Sequence, residues 1–193
     1  MGTRGNTRQR IQDVALELFV EQGYEKTSLR EIAERLEVTK AALYYHFKTK
    51  EDILISLFHD LSAPIDEVIA WGQTQPRTLE TKKEVLRRYS DALTGSEPLF
   101  RFMQENQGTV RELSVGENFK DRMLLLLDLV RAPDASMADQ VRCFSALFTM
   151  HAGNFALRDV EGDPGEKRKA VLEVATELMT QAHLDAVRDS VTG

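Results

Sequence analysis

Two short helices joined by a tight turn are predicted between Thr27 and Asp52, and this feature constrains the fold of the chain most. Ser28 is followed three residues later by Glu31, the spacing of a capping box at a helix N-terminus. Thr39 is a favourable N-cap residue for a second helix over residues 40–46. Because so few residues separate the two helices, they must cross at a steep angle, as in a helix-turn-helix.

The apolar and polar residues of this stretch are predicted to lie on opposite faces. The first helix repeats apolar residues at helical spacing, and the second is anchored by Leu43 and Phe47, with Ala42 also expected to point inward. The outward face of the second helix would carry Thr39, Lys40, Ala41, Tyr44 and Tyr45. This mixture of hydroxyl, ammonium, methyl and phenol groups suits contacts with base edges and phosphates in a DNA major groove.

The string EIAERLEVTKAALYYHFKTKEDIL, preceded by LELFVEQGYEKTS, strongly resembles the N-terminal domain of the TetR family of bacterial transcriptional regulators. The resemblance runs from about Arg8 to Phe58, and the rest of the chain has no comparable motif. Matching positions are Gly23, Thr27, Ile32, Ala33, Val38, Leu43, Tyr44, Tyr45, His46, Phe47, Lys50 and Leu54. The resemblance implies an all-helical dimer with a DNA-binding head and a ligand-sensing body.

Within this head we assign the DNA contacts residue by residue. Base edges are assigned to Thr39, Lys40, Ala41 and Tyr45. Phosphates are assigned to Ser28, Tyr44, His46 and Lys50. Lys50 is expected at the start of a third helix, where its ammonium and the free N–H groups of the helix end would face the same phosphate. Thr27 and Arg30 are secondary candidates.

Charge and cysteine content agree with a localised nucleic-acid contact inside the cell. The 193-residue chain has a formal charge of −6, yet residues 1–50 hold nine Lys/Arg against seven Asp/Glu. An acidic remainder argues against general polyanion binding. The single Cys143 excludes an intrachain disulfide and suits a reducing cytoplasm. The N-terminal MGTRGNTRQR has no apolar stretch of a signal peptide, and no apolar run nears the ~20 residues of a membrane span.

Proline positions divide the remainder into helices, and no strand-like alternation is present. Predicted helices cover roughly residues 79–94, 98–106, 117–131, 135–160 and 164–189, and a kink or break is expected near Ser62 because Pro64 interrupts the helix that starts at Lys50. The predicted fold class is all-α: an N-terminal three-helix helix-turn-helix domain over residues 1–48, and a C-terminal helical bundle over residues 49–193 for dimerisation and ligand sensing, with about nine helices in all.

The last two predicted helices carry more apolar surface than one buried face requires. A helix that is apolar on two sides must bury both, and a second copy of the chain is the economical partner for one of them. The resemblance implies the same pairing, as a four-helix bundle. The predicted homodimer interface is Phe155, Val171, Val174, Ala175, Leu178 and Ala182.

A small-molecule site is predicted around His151 and Asn154, which lie among aromatic residues of the penultimate helix. Polar groups in such surroundings need partners, and in a family whose body binds small molecules that partner can be a largely apolar effector. Its other walls would be Trp71, Phe100, Met103, Phe144 and Phe148. The alternatives are ordinary core packing, or hydrogen bonds across the subunit interface.

Nothing in the sequence predicts an enzyme, a metal site or a cofactor. Phosphate-binding and serine-elbow motifs are absent, and the four histidines form no H-x₃-H pair. The preferred hypothesis is a transcriptional repressor that binds a palindromic operator as a homodimer and is released by a small molecule. Two other classes remain open: a small-ligand binding protein whose helix-turn-helix no longer binds DNA, and a helical enzyme that uses His151.

Overall fold

The computed structural model of the chain describes residues 3–192 except 114, 158 and 159, without the side chains of residues 3–6, 115–117, 154, 155 and 189–192. The described residues form ten α-helices and no β-strand, so the all-α prediction is confirmed. The helices are α1 (Thr3–Glu21), α2 (Leu29–Arg35), α3 (Lys40–His46), α4 (Lys50–Gln73), α5 (Leu79–Ala92), α6 (Glu97–Glu105), α7 (Gln107–Glu112), α8 (Val115–Val130), α9 (Met137–Ala156) and α10 (Pro164–Thr192).

Two details of the predicted helices are wrong. Helix α7 was not predicted, because Val110 is its only buried residue and one apolar position sets no period. Helix α4 continues through Pro64, so of the predicted kink or break near Ser62 the break is absent. Proline removes one backbone hydrogen bond, and the buried residues on both sides of it, Leu61 and Ile65, anchor the helix. None of the helices, over the residues described, has the length and apolar character needed to cross a bilayer.

The chain divides into two compact units. The first comprises Met1–Ser62 and Pro98–Gly116, and the second comprises Ala63–Glu97 and Glu117–Gly193. Helix α4 therefore contributes residues to both units, and the division falls just before Pro64.

The core of the first unit lies where α1, α2, α3 and the beginning of α4 bury their apolar residues. Its fully buried side chains include Ile11, Phe19, Ile32, Leu43, Ile53 and Leu54. Gln12 of α1 is also buried, and its Nε2 donates hydrogen bonds to Ser56 Oγ at 3.0 Å and Asp60 Oδ2 at 2.6 Å. Apolar packing and this polar link together fix α4 against α1, so the core of this unit includes α4 besides the three helices that were predicted.

The second unit is built around the packing of α9 against α10. The inward residues of α9 include Cys143, Ala146, Leu147 and Met150, and those of α10 include Val171, Ala175, Met179 and Ala182. A Cβ atom on Gly153 would lie 2.6 Å from Val171 Cγ2 and 3.0 Å from Val171 Cγ1. The absence of a side chain at Gly153 therefore allows the two helices to approach closely at this point.

Candidate functional site

Helix α2 begins with the predicted capping box. The Glu31 backbone N–H donates to Ser28 Oγ at 3.3 Å, and the Ser28 N–H donates to Glu31 Oε2 at 2.8 Å. The hydrogen bonds from Ser28 lower the pKa of Glu31. The cap fixes the start of the helix that precedes the turn, and it already engages the Ser28 hydroxyl.

The turn between α2 and α3 is a Schellman motif centred on a residue other than glycine. Glu37 has φ +56°, in the left-handed region. The Val38 N–H donates to Ala33 O at 3.0 Å, and the Glu37 N–H donates to Glu34 O at 3.2 Å. Thr39 then caps α3, because its Oγ1 accepts a hydrogen bond from the Ala42 N–H at 3.2 Å. These local bonds allow α3 to begin immediately after α2 ends.

Helix α3 has one buried side and one wide exposed side. Leu43 and Phe47 are buried, as predicted, whereas Tyr45 is 72% exposed and Tyr44 is 44% exposed. Thr39, Lys40 and Ala41 are exposed and His46 is half-buried. Ala42 was expected to point inward and is instead exposed, which extends the small-residue surface next to Ala41. The helix can therefore approach a groove closely without steric conflict.

The basic residues near this face differ in how far they are already engaged. Lys40 is exposed and has no hydrogen-bond or ion-pair partner within the described part of the chain. Arg30 is exposed but pairs with Glu34, with Nε 2.6 Å from Oε1. The Arg8 guanidinium lies 4.3 Å from the centroid of the Phe47 ring. Lys40 is therefore the cation on α3 that can meet DNA without giving up an intramolecular contact.

Thr27 is not placed to contact DNA with its side chain. It is only 3% exposed, and its hydroxyl lies 2.9 Å from Gly23 O and 3.3 Å from Leu18 O. A hydroxyl that satisfies buried carbonyls near the end of α1 holds the turn before α2. Thr27 was predicted as a secondary candidate for DNA contact, and its side chain instead has this structural role.

Lys50 is engaged within the first unit. Its Nζ donates to Tyr24 O at 3.0 Å, lies 4.1 Å from the centroid of the Tyr24 ring, and is 3.6 Å from Glu25 Oε2. Only 19% of its side chain is exposed. A phosphate at this position would have to share the Lys50 ammonium with these groups. The geometry therefore favours a structural role for Lys50, in which it positions the start of α4.

The residues predicted to surround an effector are distributed over both units. Phe100 and Met103 belong to the first unit, whereas Trp71 belongs to the second and lies 4.0 Å from the Arg88 guanidinium. Phe144 and Phe148 are 58% and 59% exposed and stack on each other on the outside of α9. The exposure of both rings does not support the prediction that they are walls of an effector site around His151. The side chain of Asn154 lies outside the described residues.

His151 is a polar group in the core of the second unit, and its partner is a tyrosine that the sequence analysis did not identify. Its Nδ1 is 2.8 Å from Leu147 O, so Nδ1 carries the hydrogen and Nε2 accepts a short hydrogen bond from Tyr89 Oη. Phe119 packs edge-on against the imidazole with ring centroids 5.3 Å apart. Burial lowers the pKa of His151 to about 4 and raises the pKa of Tyr89, so both groups are neutral at pH 7.

The buried imidazole predicts a pH-dependent stability. Between pH 6.5 and pH 4 the unfolded chain binds a proton at His151 and the folded chain does not, so the free energy of unfolding should fall by at most about 3 kcal/mol as the pH decreases. Denaturant unfolding of His151→Gln over this range should lack that part of the decrease, because glutamine does not titrate.

The matched control for this measurement is His59→Gln, because the side chain of His59 is 80% exposed. This variant should keep the wild-type pH dependence. A His151→Gln curve parallel to the wild-type curve from pH 7 to pH 4 would contradict the assignment of His151 as a buried neutral imidazole.

Three of the predicted dimer residues lie on the side of α10 that faces the interior of its own unit. Val171, Ala175 and Ala182 are buried against the rest of the second unit, Leu178 is half-buried, and Val174 is exposed. Phe155 lies outside the described side chains. The two apolar sides of the helix were recognised, but the stripe that faces α9 was assigned to the partner subunit. A charge at Ala175 would therefore test folding rather than dimerisation.

A continuous exposed apolar stripe lies on α9, besides single exposed apolar residues on α4, α8 and α10. It consists of Met137, Val141, Phe144 and Phe148, which repeat at intervals of four, three and four residues and are each more than half exposed. We call this set the α9 outer stripe. Scattered apolar residues on a surface are normal, whereas a continuous stripe along one face of a helix is typical of an interaction site.

Two buried charged residues, Lys82 of α5 and Asp139 of α9, were not predicted, although the sequence carries a signal for Lys82. Lys82, Val85, Leu86 and Tyr89 repeat at the spacing of a buried stripe, and all four are buried. A lysine at the first position of such a stripe indicates a buried cation.

Over the residues described, no three His, Cys, Asp or Glu side chains converge in a way that could hold a metal ion.

Comparison with known proteins agrees with this geometry. Residues 11–57 match the sequence profile of the bacterial regulatory proteins of the tetR family. The chain is 47% identical over 62 residues to the HTH-type transcriptional regulator AcrR of Shigella flexneri, covering 32% of this chain and 29% of that protein. It is 43% identical over 54 residues to the HTH-type transcriptional regulator QacR of Staphylococcus aureus, covering 28% and 29%. The matched stretch thus spans less than a third of these relatives.

A similar fold is also found among solved structures. A TetR-family transcriptional regulator from Marinobacter aquaeolei superimposes with a TM-score of 0.62 at 19% identity, covering 87% of each chain. At this identity the likeness shows the fold alone. The profile match lies within α1–α4, so the helix-turn-helix domain of this chain is similar to the N-terminal domain of the bacterial regulatory proteins of the tetR family.

Proposed function

We propose that the protein is a transcriptional repressor that binds a palindromic DNA operator as a homodimer and is released by a small molecule. The observation that carries the proposal is the exposed face of α3, held in place by the buried Leu43 and Phe47. Because one face of α3 is buried and the opposite face is exposed, α3 can enter a major groove without unfolding any part of the unit.

The proposed contacts divide into base and phosphate contacts. Lys40, Thr39, Ala41 and Tyr45 are proposed at base edges, where Lys40 would donate to guanine and the Ala41 methyl would meet a thymine methyl. Tyr44 and His46 are proposed at phosphates, together with Ser28 and Arg30 at the start of α2. Lys50 is proposed to act through its contact with Tyr24 and thereby position this surface.

The homodimer is proposed to form through the α9 outer stripe. A single recognition helix binds DNA weakly, and a two-fold dimer supplies two helices to the two halves of a palindrome. Burying four large apolar side chains per subunit would also remove the exposed apolar surface of α9 from water.

Release by an effector is proposed to act through α4, which contributes residues to both units. In the DNA-binding state the two α3 helices would be about one helical turn of DNA apart, ~34–36 Å. An effector that prefers a state with another separation would release the DNA. To change the protein from mostly DNA-bound to mostly free, the effector must bind the released state ~10⁴-fold more tightly than the DNA-binding state.

The test of this function is selection of DNA from a random pool by the full-length protein, followed by footprinting of the selected site. We expect a two-fold symmetric motif with two protected half-sites whose centres are ~34–36 Å apart, or a multiple of that spacing. Affinity should fall steeply with salt, because bound phosphates release counterions. Failure to enrich any symmetric motif would overturn the regulator proposal in favour of a ligand-binding protein with an inactive helix-turn-helix.

A further inference from the structure

A cavity of about 410 Å³ lies within the second unit, where the beginning of α5, the loop between α8 and α9, and the last part of α10 meet. Its polar lining includes Arg77, Lys82, Arg131, Asp134 and His183. The remaining lining is apolar, from residues such as Pro133 and Val187. The volume is in the lower part of the range found for small-molecule sites. The cavity contains neither Tyr89 nor His151.

Lys82 supplies a buried cation that has no counter-ion among the described residues. The residue is 2% exposed, and its Nζ lies 3.4 Å from His183 Nδ1. Within the described part of the chain, no carboxylate is within ion-pair distance of this ammonium. Burial lowers the pKa of Lys82, and Arg77 acts in the same direction. A buried charge in this situation is expected to need an anionic partner.

The nearby groups do not provide that anion. Burial raises the pKa of the Cys143 thiol, which is therefore neutral at pH 7 and donates a weak hydrogen bond to Val130 O. Burial, followed by the charge of Lys82, lowers the pKa of His183, so its Nδ1 is a neutral acceptor for the ammonium. Neither Cys143 nor His183 therefore carries the negative charge that would neutralise the ammonium of Lys82.

Two guanidinium groups are fixed on the wall of the same cavity. Arg77 Nη2 is 2.8 Å from Asp128 Oδ2, and Arg131 Nη2 is 3.1 Å from Asp128 Oδ1, so one carboxylate orients both arginines. Asp134 is a carboxylate of the lining, whereas Asp128 is not part of the lining. The three cations of the lining, counted against Asp134 and Asp128, leave one net positive charge in a chain whose formal charge is −6.

We propose that this cavity binds a small monocarboxylate that carries an apolar group. The carboxylate would accept hydrogen bonds from Lys82 and Arg77, and the apolar group would lie against Pro133 and Val187. One net positive charge matches a monoanion better than a phosphate dianion. The binding stands on its own, and only its use as an effector site rests on the regulator function proposed above.

The first test compares acids with their amides on the unmodified protein. Calorimetric titrations with benzoate and hexanoate should show saturable binding. Benzamide and hexanamide, which have nearly the same shape but no charge, should bind at least roughly tenfold more weakly. In NMR spectra, benzoate should shift the ring signals of His183 and leave those of His59 unchanged. Equal binding of acid and amide, or no binding of either acid, would overturn the proposal.

The second test replaces the buried ammonium. Lys82→Met keeps the length and apolar stem of the side chain, so the variant should fold with a melting temperature no lower than that of the wild type. It should bind benzoate at least roughly tenfold more weakly. The control is Lys83→Met, because Lys83 pairs with Glu80 on the surface, at 3.1 Å, and should not affect binding. Wild-type affinity in Lys82→Met, or Lys82-dependent binding of inorganic phosphate but not benzoate, would contradict the assignment.

Discussion

Phe148→Asp should convert the protein from a dimer to a monomer and lower its affinity for the operator by roughly 10²-fold or more. Phe148 lies in the α9 outer stripe and is 59% exposed in the single chain, so an aspartate there is hydrated in the monomer. In a two-fold interface the same substitution enters twice, and each carboxylate would lose its water on association. Sedimentation velocity and DNA titration measure the two effects.

Retention of the fold distinguishes this result from simple destabilisation. The inward residues Cys143, Leu147 and Met150 are unchanged, so α9 should stay packed on α10 in the variant. The circular dichroism spectrum should match that of the wild type, and the melting temperature should become independent of protein concentration.

Leu124→Asp provides the matched control for this prediction. Leu124 is on α8, is 54% exposed, and is outside the α9 outer stripe. This variant should remain a dimer and bind DNA as the wild type does. If Phe148→Asp stays dimeric while Leu124→Asp dissociates, the interface lies on α8 instead.

Lys40→Ala should weaken binding to the selected operator by at least roughly tenfold and relax the preference at one base position in each half-site. The effect arises because Lys40 is exposed at the first position of α3 and has no other partner among the described residues. A lost contact to a base edge is worth about 1–3 kcal/mol, and the dimer loses two of them. Binding titrations against operators with single base changes measure the preference directly.

The salt dependence separates a base contact from a phosphate contact. If Lys40 contacts a phosphate, its removal should weaken binding to all sequences alike and decrease the salt slope by about one per contact. Lys120→Ala removes an exposed lysine from α8 and should change neither affinity nor preference. Unchanged operator affinity in Lys40→Ala would contradict the assigned face of α3.

The helix-turn-helix could be predicted in detail because its structure depends on neighbours in the chain. The bonds between Ser28 and Glu31 and the cap at Thr39 link residues three apart, so the residue types and their spacing suffice. The buried positions Leu43 and Phe47 follow from the same local period. The glutamate in the left-handed position of the turn was not predicted, because residues other than glycine adopt that conformation only when the surrounding bonds hold them there.

The body could be predicted only as a set of helices. Periodicity showed that α9 and α10 are apolar on two sides, but it does not reveal which side meets a neighbouring helix. As a result, the buried Val171 and Ala175 were assigned to the partner subunit, and the exposed Phe144 and Phe148 to the walls of an effector site.

The sequence by itself determined the all-α class, the position of the helix-turn-helix and, except for Ala42, the residues on the exposed face of α3, because hydrogen bonds and apolar periods within a few residues specify them. Only the tertiary structure decided that Tyr89 satisfies His151, 62 residues away, and that Lys82 is buried beside His183, 101 residues away. Such pairs depend on how distant helices pack, and no local pattern encodes which side chains then meet.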